Sequence, residues 1–223
     1  MGVCIRLHQF FSVIPTIDAR ISRLTLTHRN IFYIYYIMKR ASIVWLGGCL
    51  VVALIVLAIC LVYSSQHKIQ GVDPHGVVAY ISYGTDTENY VKGVYTGLQW
   101  QCVEYARRWL ITVKGVTFEA VDNAANMWPI KYATSITDGT NYDFVNVSVE
   151  SATSPPPVGA LLIYRKTDEF PHGHVAVVVE EGDDQTVGIA EQNQDDAVWK
   201  APYSRRINVF EEKDLVGWKI LQK

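Results

Sequence analysis

Three different spacings of apolar residues run along this chain, and each marks a different kind of element. Residues 43–63 (IVWLGGCLVVALIVLAICLVY) are apolar without interruption. A helix buried against a soluble core usually keeps a polar stripe, and this run has none. At a rise of ~1.5 Å per residue it reaches roughly 30 Å, the hydrocarbon thickness of a bilayer. The run predicts a transmembrane helix. In residues 99–114 the apolar positions Val103, Ala106, Leu110 and Val113 are spaced three, four and three, with Gly115 placed to stop the helix they predict. After it come short β-rich runs at 158–164, 175–179 and 187–190, with weaker ones at 207–210 and 215–221. Another lies earlier, at 77–81, and turn chemistry at 71–76, 154–157 and 182–184 separates these segments. Residues 120–136 are ambiguous, with helix expected around 124–128 ahead of Pro129. One early helix followed by antiparallel strands reads as an α+β domain, and no internal repeat is present.

Charge divides the chain at the same place. No Lys, Arg, Asp or Glu lies between Arg40 and Lys68. Before the gap stand Arg6, Arg20, Arg23, Arg29, Lys39 and Arg40 against the single acid Asp18, so a net −2 conceals a basic arm and an acidic remainder. Basic residues abutting one end of a span favour keeping that end cytoplasmic. The expected organisation is a basic arm at 1–40, a signal anchor at 41–66, and a globular domain at 67–223 beyond the membrane, lumenal or extracellular. Met38-Lys39-Arg40 before the apolar run resembles the start of a signal sequence, but the run exceeds the roughly 7–15 residues of a cleaved one. Initiation at Met38 would leave 1–37 as an upstream extension. The aromatic stretch at 31–37 is too short to span alone. A pI near 6.3 argues against a nucleic-acid partner, and 49% hydrophobic residues against global disorder.

Cys4, Cys49 and Cys60 precede the globular domain, leaving it Cys102. A lone cysteine makes neither an internal disulfide nor a cysteine-rich metal site. It is a small core residue or a nucleophile. Cys102 falls in the first turn of the expected helix, where unpaired N–H groups and the dipole favour a thiolate. A nucleophile needs a base, and the base needs an orienting acceptor. His67 and His75 belong to linker and turn. His174 opens the strongest strand, after Gly173. If that strand turns at Gly182-Asp183 in a two-residue hairpin, His174 faces Glu191 and His172 faces Asn193. A four-residue loop instead sets His174 against Asn193, so turn length decides the acceptor. His172 and His174 share a strand face, but without further ligands they make no metal site.

Tyr95 to Arg108 (YTGLQWQCVEYARR), Gly173-His174-Val175-Ala176 and Ile189-Ala190-Glu191-Gln192-Asn193 together resemble the CHAP family of cysteine, histidine-dependent amidohydrolases/peptidases. The likeness is greatest to the amidase half of bifunctional glutathionylspermidine synthetase/amidase and of the related trypanothione synthetases. It extends from about Gly71 to Gly217-Trp218-Lys219-Ile220 and takes in residues 157–163 (PVGALLI). The resemblance implies a papain-like α+β fold, its nucleophile helix packed on an antiparallel sheet. It implies Cys102 as nucleophile, His174 as general base and Glu191, in preference to Asn193, as the residue orienting the imidazole. Gln101 is the expected oxyanion donor, with Arg107 and Asn193 as candidate contacts to substrate or braces of the site. Trp100 and Trp128 are candidate cleft walls. No cofactor or metal is implied.

Three functions fit. The first is an anchored amidase/endopeptidase cutting peptidoglycan stem or bridge peptides, of the D-alanyl-glycyl endopeptidase kind, and the topology favours it. The second is the same chemistry on a peptide-polyamine substrate such as glutathionylspermidine, favoured by the motifs. The third is a binding domain on an inactive hydrolase scaffold, which retention of Cys, His and Glu together argues against. Asn146-Val147-Ser148 offers the one Asn-x-Ser/Thr acceptor.

Overall fold

The computed structural model describes residues 28–66 and 68–222, except for the side chains of 28–31, 34, 41–44, 46, 47 and 62–66. Most of the expected basic arm, with Cys4, and His67 lie outside the described residues. The chain divides into two compact units between Cys60 and Leu61.

Helix α1 runs His28–Gln66, and its described side chains from Leu50 to Leu61 are exposed. Among the described residues no helix is long and apolar enough to cross a membrane. The transmembrane span expected at 43–63, and the anchor built on it, are therefore not supported.

The second unit opens with two small antiparallel hairpins, β1 (Ile69–Val72) with β2 (Val78–Tyr80), then β3 (Glu88–Val91) with β4 (Val94–Leu98). Helix α2 follows at Cys102–Trp109 and passes into a π-helical turn, Leu110–Lys114, which Gly115 ends at φ 71°. The helix begins three residues later than the apolar spacing implies, because Gln101 is extended (φ −80°, ψ 161°). Its interior is also more buried than one stripe predicts: all of Glu104 to Trp109 is covered.

Eight strands then build one antiparallel sheet: β5 (Val116–Thr117), β6 (Tyr132–Ser135), β7 (Asn141–Ser148), β8 (Leu161–Tyr164), β9 (His174–Glu181), β10 (Thr186–Ala190), β11 (Arg205–Asn208) and β12 (Leu215–Leu221). Their order across the sheet is β11-β10-β9-β8-β12-β7-β6-β5. A 3₁₀ turn at Ala124–Met127, capped by the Asn123 side chain, occupies the ambiguous region. The mixed α and β architecture agrees with the α+β expectation. The helix and the sheet enclose one core, in which Tyr105, Ala106, Trp109 and Leu110 meet Leu161, Ile163, Val175 and Val177. A second core covers the opposite face through Leu162, Tyr164, Ala176, Val178, Ile189 and Trp218. Burial on both faces explains why β8 and β9 read as continuous apolar runs rather than alternating ones.

Asp73 ties the first hairpin to α2. One carboxylate oxygen accepts from the His75 and Val77 N–H groups, the other from Trp109 Nε1 (2.7 Å) and the Tyr105 hydroxyl (3.2 Å). On β12, Lys219 is wholly buried, and no carboxylate among the described residues pairs with it. Its Nζ donates to Trp128 O (2.9 Å) and Asn146 Oδ1 (2.5 Å). Asn146 also donates from Nδ2 to Trp128 O, so the acceptor nitrogen of the Asn-Val-Ser tripeptide is engaged within the fold.

The two-residue hairpin expected at Gly182-Asp183 is not formed. Thr186 N–H donates to Asp183 O and Gly182 N–H to Thr186 O, while Asp184 and Gln185 turn the chain at φ 50° and 67°. The β9–β10 ladder pairs Glu181 with Val187 and Glu180 with Gly188. It then slips at a bulge to pair Val178 with Ile189 and Val177 with Ala190. Continued past the bulge, this register sets His174 in line with Asn193, as the longer-loop alternative required. It leaves Glu191 on the diagonal.

Candidate active site

The first turn of α2 and the first residue of β9 meet at one point. Cys102 begins the helix, and His174 and the N–H groups of Val103 and Val175 lie near enough to act on its thiol. The close approach of β4 to the helix depends on Gly97, at φ 137°, where a Cβ would lie 3.1 Å from that of Glu104. Gly173 turns the chain into β9 at φ 67°, and a Cβ there would lie 2.7 Å from Tyr164 O. His174 is 4% exposed, between the rings of Tyr164 and Phe170.

The imidazole bridges two groups. Its Nε2 is 2.9 Å from Glu191 Oε2, which leaves Nδ1 as the nitrogen open to the thiol. Glu191 is 2% exposed, and its other oxygen accepts from Ser204 Oγ (2.6 Å) and Arg205 Nε (2.8 Å). Glu191 thus reaches His174 diagonally, a distance two strand-adjacent side chains can span. The expected Glu191–His174 partnership is present although the register proposed to create it is not.

The charges favour an ion pair. Burial by itself raises the Cys102 thiol, but the positive charge and hydrogen bond of His174 outweigh it, helped by the two N–H groups, and the thiol titrates below its ordinary value. Burial likewise disfavours the imidazolium, yet Cys102 and Glu191 push His174 up to about 10. Against its own burial, the Glu191 carboxyl is held at about 2 by His174 and then Arg205. Both shifts run toward a thiolate beside an imidazolium.

Cys102 opens on a cleft of about 580 Å³. Gln101, Arg107, Asp122 and His172 line it. Gln101 Oε1 accepts from Asn193 Nδ2 at 2.6 Å, leaving Nε2 as its donor end, 3.5 Å from Ser82 Oγ. Asn193, at φ 59°, therefore braces Gln101 and not His174. Arg107 is buried, donating to Glu119 O (2.7 Å) and Thr96 O (3.5 Å) and lying over the Phe118 ring, with its Nε lacking a protein partner. Trp100 and Trp128 do not line this cleft. Trp100 stacks on Tyr80 at 4.2 Å, and Trp128 lies beneath Lys219. Among the described residues no group of three or more His, Cys, Asp or Glu side chains is placed to hold a metal ion.

Residues 93–193, which span all of these motifs, match the model of the CHAP domain. The chain carries a CHAP domain, of the cysteine amidohydrolase class. Curated relatives include trypanothione synthetase of Crithidia fasciculata, 31% identical over 69% of this chain and 24% of the relative. Glutathionylspermidine synthase of the same organism is 31% identical over 56% of this chain and 19% of its own length. The bifunctional glutathionylspermidine synthetase/amidase of Escherichia coli (strain K12) is 36% identical over 47% of this chain and 17% of its own. The chain thus spans less than a quarter of the length of these proteins.

Two further features of the second unit escaped the sequence reading. One is the set of donors behind Glu191, Ser204 and the first residue of β11: Arg205 pairs with Ile189 on β10, two residues short of Glu191. The irregular connection at 191–204 hides that pairing from any spacing rule. The other is a buried hub on α2. Glu104 accepts from Arg108 Nε (2.7 Å), Asn89 Nδ2 (2.8 Å), Gln192 Nε2 (3.0 Å) and Thr96 Oγ1 (3.2 Å). Glu104 and Arg108 stand at i,i+4 in the sequence, which is a visible cue, but the same spacing is common on solvated helix faces.

Proposed function

We propose that the domain hydrolyses an amide joining a short peptide carboxyl to an amine-bearing chain, in the manner of glutathionylspermidine amidase. The carrying observation is the buried His174–Glu191 pair beside Cys102, whose thiol lines the cleft. Cys102 thiolate attacks the amide carbonyl, forming a C–S bond. His174 gives its proton to the departing amine as the C–N bond breaks. Water, deprotonated by the same imidazole, then splits the thioester and restores the thiol. Glu191 holds the imidazole and offsets its charge. The Cys102 N–H and Gln101 Nε2 then stabilise the developing oxyanion, the Asn193 bond to Gln101 Oε1 supporting this role by leaving Nε2 as the donor end. Arg107 offers a cation at the cleft wall for an acidic group of the peptide.

The named relatives support the peptide-polyamine class of substrate. The peptidoglycan endopeptidase reading leans on the membrane span expected at 43–63, which the described residues do not support, and it is the other outcome of the test. The full chain is incubated with glutathionylspermidine and with peptidoglycan, and free amine is measured. Release of spermidine, abolished in Cys102→Ala, is the expected result. Cleavage of peptidoglycan alone would overturn this substrate and restore the first reading. Cleavage of neither would favour a binding domain. Protease added to sealed vesicles bearing the chain tests the extracytoplasmic placement separately, protection of the domain being the result that placement requires.

A further inference from the structure

The residue behind Glu191 reaches two carboxylates. Arg205 donates from Nε to Glu191 Oε1 at 2.8 Å and from Nη1 to Glu212 Oε1 at 2.7 Å, and its Nη2 lies 3.4 Å from the Tyr164 hydroxyl. Tyr164 in turn donates to Glu212 at 3.2 Å. Ser204 adds a hydroxyl donor to the same oxygen of Glu191 that Arg205 uses. Both oxygens of a 2% exposed carboxylate are therefore assigned, one to β11 and one to the base on β9. A carboxylate carried on an irregular segment after β10 has no strand ladder to aim it. Two donors on one oxygen fix the orientation of the other.

We propose that Arg205, assisted by Ser204, is the positioning residue of this site, keeping Glu191 ionised in acid and its Oε2 directed at His174. The inference rests on the triad reading above but not on the choice of substrate. The charged and titratable groups facing Glu191 are His174 from β9, Arg205 from β11, and, beyond Arg205, Glu212 and Tyr164 from β8. Without Arg205 the carboxyl would be left buried with Glu212 close by, and it would take up a proton at a higher pH. Above that pH Glu191 is an anion with or without Arg205, and Ser204 still holds its Oε1, so the loss of aim there is small and most of the consequence falls on the acid side.

The test is the pH dependence of iodoacetamide alkylation at Cys102, read on the full chain by mass spectrometry of the Cys102 peptide, so that Cys4, Cys49 and Cys60 do not interfere. Arg205→Met should slow alkylation about tenfold near pH 4 while leaving it within about twofold of the parent at pH 7, an opposite charge at hydrogen-bonding range being worth a pKa change of one to three. Arg205→Lys, which keeps the charge but loses the fork, should recover most of the difference. A lowered melting temperature with superimposable alkylation profiles would overturn the proposal and reduce Arg205 to a brace of the fold. If Arg205→Met does not fold, Ser204→Ala reads the same acid limb, with a shift in the same direction expected and no shift counting against. A parent chain whose Cys102 resists iodoacetamide at neutral pH would instead defeat the nucleophile assignment, a distinguishable result.

Discussion

Replacing Glu191 with glutamine keeps the size and the polar reach of the side chain and removes its charge, so it isolates the ionic contribution of the site to folding. The carboxyl is held at about 2 against an ordinary 4.5. At about 1.36 kcal/mol per pH unit this corresponds to roughly 3 kcal/mol of stability at neutral pH. The partly exposed Arg205 trims that toward ~2 kcal/mol through solvent screening. Because the folded value lies below the unfolded one, the contribution is complete above about 4.5 and is lost as pH falls toward 2. Urea unfolding of the parent and Glu191→Gln, followed by tryptophan fluorescence, should show a gap of ~2–3 kcal/mol at pH 6 that shrinks to about 1 kcal/mol at pH 3. A gap of the same size at both pH values would refute the ionic account and assign the loss to packing or hydrogen bonding.

Glu104→Ala leaves the Arg108 guanidinium 7% exposed without its counter-charge, and should cost ~3–5 kcal/mol in the same assay. Arg108 also donates to Val78 O and Gln192 Oε1 (2.8 Å), and a loss below ~1 kcal/mol would show that these satisfy it unaided. Lys219, lowered by burial to about 8 from 10.5, should make the parent chain more stable relative to Lys219→Met as pH rises from 8 toward 10.5, since the unfolded lysine still binds a proton there and the folded one does not. A constant difference between pH 7.5 and 9.5 would show that Lys219 stays protonated in the fold.

What could be read from the sequence follows the reach of the interactions involved. Strands β8 and β9 announce themselves because both faces are buried, and α2 because its apolar spacing is local. Strands β6 and β7 do not: YATS and NYDFVNVS place polar residues on a half-exposed surface, and β3 and β4 hide in the same way. The pairing of His174 with Glu191 was reached through a register that does not exist. A longer turn and a bulge changed the register, and the diagonal reach of the glutamate restored the contact. The donors behind Glu191 lie across an irregular connection, where neither period nor turn chemistry carries information.

Three adjacent residues after β10 each face a different part of the domain. Glu191 meets the base on β9, Gln192 meets Glu104, Arg108 and the Tyr80 N–H, and Asn193 meets Gln101 beside the thiol. Nucleophile and base, far apart along the chain, are thus indexed to one another by a single tripeptide. Lineages of this domain should therefore accept length variation in the turn at 182–185, where a bulge downstream absorbs the offset. An inserted or deleted residue within 191–193 would misalign three couplings together, and in a library of single-residue indels those positions should stand out as a gap among the survivors.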